Sequence, residues 1–218
     1  MDLQVVYNQL LFWVNLKQGG WYPPEELDAI VDKGQLSYYK DCFIKYGTGQ
    51  RLTDALAPFK SKSNFTTDDA GFLDTPEDYM DLIDIEPIIN GVPVTCPVLN
   101  EDERTYRRRS QVIPNTTVAP FAEEVTNWNF QLYPQQEFSG NFTYYRRPTP
   151  PLFRYTLISG RIINYDPVNS QQLGWGDDEI QPLLIWTLQS IGINLSEQDV
   201  GQFAELKTQQ NLLSAMKI

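Results

Sequence analysis

Residues 85–98 read IEPIINGVPVTCPV, and this stretch places β structure near the middle of the chain. Asn90-Gly91 separates two apolar runs, which is the strongest short-range signal for a β-hairpin with a two-residue turn. The prolines around it favour short strands or strands at a sheet edge, because proline cannot donate to a ladder. The rest of the fold depends on what the flanking segments add to this hairpin.

Helical periodicity dominates both ends of the chain. In the first sixty residues the spacing of apolar residues predicts helices over 2–17, 23–33, 35–46 and 51–57. Gly19-Gly20 and Gly34 are expected to end the first two, because glycine after a periodic segment is a stop signal. At the other end, one helix is predicted after the acidic residues 177–179 and another over 197–215.

Between the ends the pattern is that of strands. The pattern over 127–166 predicts strands in WNFQLYP, which alternates, and in NFTYYRR, LFRYTLI and GRIINYD, with turn residues between them. A helix is predicted over 100–110, with Asn100 as its cap and arginines in its last turn. We expect 60–74 and 111–126 to be irregular, and 75–83 to be either a capped helix start or a turn leading into a strand.

This order predicts an α+β protein. The expected architecture is a helical bundle formed by the N-terminal and C-terminal helices, with an inserted, mostly antiparallel β region and long loops. We assign 1–60 to an N-terminal helical segment, 61–174 to the β-rich region, and 175–218 to C-terminal helices that pack on the N-terminal ones.

Composition excludes several classes of chemistry. The 218 residues contain no histidine, which removes histidine-dependent triads and nearly all catalytic zinc sites. The two cysteines, Cys42 and Cys96, are too few for a thiolate cluster, and we expect both to be reduced and buried. A formal net charge of −11 disfavours binding to nucleic acid phosphates. We predict no cofactor, no metal site and no membrane span.

Two clusters of arginine and tyrosine are the candidate functional residues. The first is Arg104, Arg107, Arg108 and Arg109, and the second is Tyr144, Tyr145, Arg146 and Arg147. Because arginine and aromatic residues are enriched at protein interfaces, we expect both clusters to contact a neighbouring subunit. The acidic segment 68–86, with Asp78 and Asp81, is the complementary surface. The alternative is that the arginines cap a helix and form salt bridges within the chain.

Two other functions stay open. A carbohydrate- or receptor-binding module would use the aromatic side chains of Trp21, Tyr22, Trp128, Tyr144, Tyr145, Trp175 and Trp186. A glycosidase would need two carboxylates facing each other, for which the candidates are Asp68 with Asp69, Asp74 with Asp78, and Asp84 with Glu86. Such acids are more often helix caps or solvated loop residues, so we expect the chain not to be an enzyme.

Five motifs carry a resemblance to a known family. In chain order they are WVNLKQGGWYPPEELDAIVDKGQLSYYKD (13–41), LDTPEDYMDL (73–82), NEDERTYRRRS (100–110), FTYYRRPTPP (142–151) and W-x(10)-W-x(4)-IGINLSEQDVGQFAELK (175–207). This series resembles the ring or head-to-tail connector proteins of crAss-like short-tailed bacteriophages of Bacteroidetes hosts, which are similar to the tail adaptors of other podoviruses.

The resemblance implies an adaptor-type domain in a homo-oligomeric ring of twelve copies beneath the portal. It implies that the helical part builds the ring wall, and that the β part and loops reach neighbouring subunits and other tail proteins. Genomic DNA would pass through the lumen without specific binding, and an acidic lumen would repel it. The implied location is the virion, at the portal–tail junction, after assembly in the bacterial host cytoplasm.

Overall fold

The computed structural model describes residues 2–18, 22–45, 50–109, 116–126, 129–158 and 162–193. The chain divides into two compact units. One unit comprises Met1–Pro58 together with Pro148–Ile218, and the other comprises Phe59–Arg147. We call them the helical unit and the β unit.

The described elements are five α-helices and nine strands. The helices are α1 (Leu3–Gln18), α2 (Pro24–Ile44), α3 (Gln50–Leu56), α4 (Glu101–Arg109) and α5 (Ile180–Ser190). The strands are β1 (Lys60–Thr66), β2 (Phe72–Asp74), β3 (Tyr79–Ile89), β4 (Val92–Pro93), β5 (Phe121–Thr126), β6 (Asn129–Tyr133), β7 (Ser139–Arg146), β8 (Tyr155–Ile158) and β9 (Ile162–Tyr165).

The helical unit contains α1, α2, α3 and α5 together with the antiparallel hairpin of β8 and β9. The apolar stripe predicted for the first helix is confirmed, since Val6, Leu10, Trp13 and Val14 are all buried in α1. Helix α2 packs closely on α5. Leu27 and Val31 are buried in α2, and Leu184 and Leu188 are buried in α5.

Gly34 does not end a helix as predicted. Helix α2 runs through it, so the two helices expected over 23–33 and 35–46 are one. A Cβ placed on Gly34 would lie 2.7 Å from the Cα of Thr187 and closer still to its hydroxyl oxygen. The glycine is therefore a contact point at which the backbone of α5 approaches α2, and this packing outweighs the low helix propensity of glycine.

The β unit consists of two antiparallel sheets that together form a curled β structure. The first sheet has the strand order β1-β7-β3-β4, and the second has the order β2-β6-β5. The segment 94–99 links them: the N–H of Cys96 donates to the carbonyl of Ile85 in β3, and the N–H of Leu99 donates to the carbonyl of Ala122 in β5, both at 2.9 Å. The two sheets thus enclose one apolar core that includes Phe65, Phe130 and Phe142.

Two local predictions are confirmed in the β unit. The hairpin of β3 and β4 turns at Asn90-Gly91, where both residues have positive φ (54° and 78°), as a type I′ turn requires. Helix α4 begins with the reciprocal hydrogen bonds of a capping box. The N–H of Glu103 donates to the Asn100 side chain at 2.9 Å, and the N–H of Asn100 donates to the Glu103 carboxylate at 3.2 Å.

The predicted architecture, a helical bundle formed by the N-terminal and C-terminal helices, is wrong. The described chain is an α+β protein rich in strands, and its largest element is the curled antiparallel sheet. Segments expected to be irregular supply strands: 60–74 contains β1 and β2, and 111–126 contains β5. The helix predicted over 197–215 lies outside the described residues.

The misassigned strand β1 has a physical explanation. Its sequence, KSKSNFT, is polar because β1 lies at the edge of its sheet, where Lys60, Lys62 and Asn64 face solvent and Phe65 faces the core. Lysine on an edge strand protects it from pairing with other chains, and it also hides the strand from a hydrophobicity pattern. Residues 75–83 follow the second of their two predicted alternatives, a turn leading into strand β3.

Candidate functional site

The arginines of α4 divide into those that hold the helix and those that face solvent. Arg104 forms a salt bridge with Glu123 of β5, and its pKa is raised by this hydrogen bond. Arg107 donates to the carbonyl of Ala119 at 3.5 Å. Arg109 is exposed at the end of the helix, and Arg108 belongs to the same last turn. Salt bridges within the chain thus account for Arg104, as the alternative interpretation expects.

The second cluster is also divided. The side chains of Tyr144 and Tyr145 are each only 4% exposed, while Arg146 and Arg147 are exposed. The Tyr144 hydroxyl donates to Asp78 at 2.9 Å, and the backbone N–H of Arg147 donates to the carbonyl of Asp78 at 2.7 Å. Asp78 therefore contacts β7 of its own chain.

Asp81 is half-buried and lies opposite Tyr145 in the pairing of β3 with β7. The structure thus brings one arginine–tyrosine cluster and the acidic segment together within a single chain. Among the members of the predicted interface whose burial the structure describes, the exposed ones are Arg109, Arg146, Arg147 and Asp78. Their contact with a neighbouring subunit stays a prediction.

Helix α4 also exposes an aromatic residue. Tyr106 is 78% exposed and precedes Arg109 by three residues, so the two lie on neighbouring positions of the helix surface. We call Tyr106 and Arg109 the α4 patch. Beside the helix a groove is lined by Arg104 and Glu123 and by the exposed valines Val98 and Val125.

Two buried polar atoms, one on α4 and one on β5, lack hydrogen-bond partners in the described part of the chain. One carboxylate oxygen of Glu123 and the Nε of Arg107 are buried, and neither has a hydrogen-bond partner among the described residues. Such groups carry a desolvation cost unless something else satisfies them. Both atoms are covered by the chain itself, so they are not part of the surface that α4 offers to a partner.

The aromatic residues predicted to bind sugar do not form one surface. Tyr144, Tyr145 and Trp175 are buried, and Trp186 is half-buried. The indole N–H of Trp175 donates to the Gln35 side chain at 3.3 Å, which is a core contact. Trp21 and Trp128 lie outside the described residues. Tyr22 is half-buried and lines a cleft.

This aromatic cleft lies in the helical unit and has a volume of about 150 Å³. Tyr7, Phe153 and Tyr165 stack in a row, with ring centroids 4.5 and 4.6 Å apart. Tyr22 adds a fourth aromatic ring, and the exposed carboxamides of Gln4 and Asn8 lie at its α1 side. We define the aromatic cleft by these residues: Gln4, Tyr7, Asn8, Tyr22, Phe153 and Tyr165.

Hydrogen bonds outside the cleft fix its rings. The Asp28 carboxylate accepts from the hydroxyl of Tyr7 and from the backbone N–H of Phe153, the latter at 3.0 Å. Burial raises the pKa of Asp28, although these two hydrogen bonds lower it. On the other side, the Gln172 side chain donates to the Tyr165 hydroxyl at 2.6 Å and accepts from the N–H of Leu3 at 2.9 Å.

Of the residues that form the aromatic cleft, the sequence predicts only Tyr22 as a binding residue. Gln4 and Asn8 share one face of the predicted first helix, and Phe153 and Tyr165 are aromatic positions in the β pattern. No local signal indicates that α1 and the hairpin of β8 and β9 come together. The two sides of the cleft are separated by more than a hundred positions in the chain, so only the tertiary fold identifies the site.

The candidate carboxylate pairs make ordinary structural contacts. Asp68 accepts from the N–H groups of Ala70 and Phe72 at 3.0 and 2.8 Å, which closes its loop. Asp84 and Glu86 lie on one face of β3, where burial and then Glu86 raise the pKa of Asp84. Glu86 lies 3.5 Å from the Lys62 ammonium.

Both cysteines are free and buried, and burial raises the pKa of Cys96 to about 12. In the part of the chain that the structure describes, no group of three or more Cys, Asp and Glu side chains has the arrangement of a metal site. None of the described helices has the length and apolar character needed to cross a membrane.

No protein-family model matches the chain, and no curated protein matches it significantly. The resemblance to phage ring proteins therefore depends on the order of the motifs alone and stays a prediction.

Proposed function

We propose that this chain is a structural virion protein without catalytic activity. It is a subunit of a homo-oligomeric ring that connects the portal and the tail of a short-tailed phage and lines the DNA channel. Its partners are copies of itself in a ring of twelve, the portal protein and other tail proteins. It is assembled in the cytoplasm of the bacterial host and resides in the virion.

The observation that carries this proposal is the α4 patch. A tyrosine that is 78% exposed, one helical turn before an exposed arginine, has the residue types that are enriched at protein interfaces. The adjoining groove adds two exposed valines, Val98 and Val125. A contact between this patch and a different surface of the next copy is heterologous, and heterologous contacts generate rings when the rotation closes.

The charge of the chain supports a channel-lining role. With a net charge of −11 per copy, a ring of many copies would carry a large negative charge. Where this charge lines the channel it repels the DNA phosphates, so DNA would move through without being retained. The charge thus supports the role of the channel, while the α4 patch supports assembly of the ring.

The experiment is a measurement of assembly on the wild-type chain and on a double variant, Tyr106→Ala with Arg109→Glu. Arg104 and Arg107 are left unchanged because they attach α4 to β5 and to Ala119. We expect rings of the wild-type chain in light scattering and negative-stain images. The double variant should remain monomeric with an unchanged unfolding midpoint.

Lys60→Glu is the matched control, because it makes the same change of charge at an exposed position of the same unit. It should assemble normally. If the double variant assembles as well as this control, the α4 patch is not the contact. A wild-type chain that stays monomeric and is absent from purified phage particles would contradict the ring itself.

A further inference from the structure

We propose that the aromatic cleft binds one neutral pyranose ring, that is, a single sugar residue, by stacking and by hydrogen bonds from carboxamide and tyrosine groups. This site lies in the helical unit and is independent of the α4 patch. It therefore adds a ligand-binding function to the chain, whether or not the chain forms a ring.

The size of the aromatic cleft limits the ligand to one ring. Its volume is about 150 Å³. A cavity on the order of 150 Å³ accommodates a molecule as large as benzene. One six-membered ring therefore fills the aromatic cleft, and any further part of a larger glycan would extend into solvent.

The chemistry of the lining favours a neutral, hydroxylated ligand. None of the described residues that line the cleft is acidic or basic; the polar ones are two carboxamides and three tyrosines. The neighbouring Glu25 and Asp28 and the net charge of −11 oppose an anion. Tyr22 and Tyr165 are half-buried and offer the apolar platform, while Tyr7 and Phe153 are buried against each other and support it. Carboxamides both donate to and accept from hydroxyl groups.

Three polar groups are placed for hydroxyl recognition. Gln4 and Asn8 both line the cleft and are separated by one turn of α1, so their Cβ atoms lie about 5–6 Å apart. Their two carboxamides can therefore reach different hydroxyls of one ring. The oxygen of the Tyr165 hydroxyl accepts from Gln172 at 2.6 Å. Its own proton remains available for donation to a ligand oxygen.

The aromatic walls are held before any ligand arrives. Asp28 fixes Tyr7 and the backbone of Phe153, and Gln172 fixes Tyr165. Because these rings are already stacked, binding does not have to order them, and this lowers the entropic cost of association. Asp28 and Gln172 are therefore positioning residues, while Gln4, Asn8 and Tyr165 would touch the sugar.

The test is an NMR titration of the full chain with the methyl glycosides of glucose, galactose, mannose and N-acetylglucosamine. We expect at least one of them to bind with a Kd on the order of 1 mM. The double variant Gln4→Ala with Asn8→Ala should weaken binding by about tenfold or more, which is the effect of losing about 1.4 kcal/mol. Tyr165→Phe, which keeps the ring and removes the hydroxyl group, should weaken binding several-fold.

Tyr106→Phe is the matched control, because it removes a tyrosine hydroxyl from an exposed position in the other unit. It should bind like the wild type. Chemical unfolding of each variant checks that the fold is retained, and Tyr165→Phe gives a second test should the double variant be unstable.

Three results would overturn the proposal. The first is that none of the glycosides binds at any soluble concentration. The second is that indole or tetramethylammonium binds while the glycosides do not, which would assign the cleft to an aromatic or a cationic group. The third is that the folded cleft variants bind sugar as well as the wild type. None of these results bears on ring assembly, so this proposal and the ring fail separately.

Discussion

Asp28 is the single side chain on which most of the aromatic cleft depends. It is half-buried in α2, and its carboxylate accepts from Tyr7 of α1 and from the backbone of Phe153. It therefore joins three segments that are distant in sequence. Burial raises its pKa, so the carboxylate is costly to keep charged and is retained for its two hydrogen bonds.

We expect Asp28→Ala to lower the free energy of unfolding by about 2–4 kcal/mol, because it leaves two donors unpaired and each buried unpaired group costs about 1–3 kcal/mol. Asp28→Asn keeps an acceptor and should cost less. Asp69→Ala, in an exposed loop, is the control and should change stability by less than about 0.5 kcal/mol. Urea unfolding measures all three, and equal losses for the first two variants would contradict the argument.

The contribution of Asp28 to the free energy of unfolding should also depend on pH. Because the pKa of Asp28 is raised in the folded state, the folded chain holds this proton more tightly than the unfolded chain does. The stabilisation that comes from protonated Asp28 is complete at a pH below the ordinary aspartate pKa of 3.8, and it declines as the pH rises through the raised pKa of the folded state. The stability of the wild type relative to Asp28→Asn should therefore fall across this range.

The contact between α2 and α5 shows how an element can override a local signal. Gly34 predicts the end of a helix, yet α2 continues through it because a residue without a Cβ allows α5 to approach. The local preference is worth about 1 kcal/mol, and the packing of two apolar helix faces is worth more.

We expect Gly34→Ala to destabilise the chain by about 1–3 kcal/mol, because the added methyl group would overlap the backbone of Thr187. This steric cost exceeds the roughly 1 kcal/mol that alanine gains over glycine in a helix. Gly176→Ala is the matched control, since its φ is −66° and nothing lies within 4 Å of its added Cβ. Chemical unfolding compares the two, and an equal or greater stability of Gly34→Ala would contradict the proposed helix contact.

The β unit is an insertion between the two chain segments that form the helical unit. The β unit is continuous from Phe59 to Arg147 and contains its own apolar core. Its two ends lie side by side, because Lys60 pairs with Tyr145 in the register of β1 with β7. A segment whose ends meet can be inserted into a loop of another unit without disturbing it.

We therefore expect residues 59–147, expressed alone, to fold. The expected result is a β-type circular dichroism spectrum and a single cooperative unfolding transition, because the core cluster lies entirely within this segment. A segment of the same length shifted to start at residue 90 would lose β1, β2 and β3 and is the control. The absence of a cooperative transition in 59–147 would contradict the division into units.

Local chemistry was enough for part of this description. The helices at 3–18 and 180–190, the Asn90-Gly91 turn and the capping box of α4 all follow from neighbouring residues. The absence of histidine and the net charge of −11 likewise limit the chemistry without any structure. In each case the interacting groups lie within a few positions of one another, so the sequence contains the whole interaction.

Long-range packing decided the rest. Strand β1 is polar and becomes a strand only because β7 pairs with it, and Gly34 stays helical only because α5 lies against it. The aromatic cleft exists because Asp28 joins α1 to the chain at residue 153, which is 125 positions away. These features depend on partners that periodicity cannot identify, since a local pattern records which residues tend to be buried but not which surface buries them.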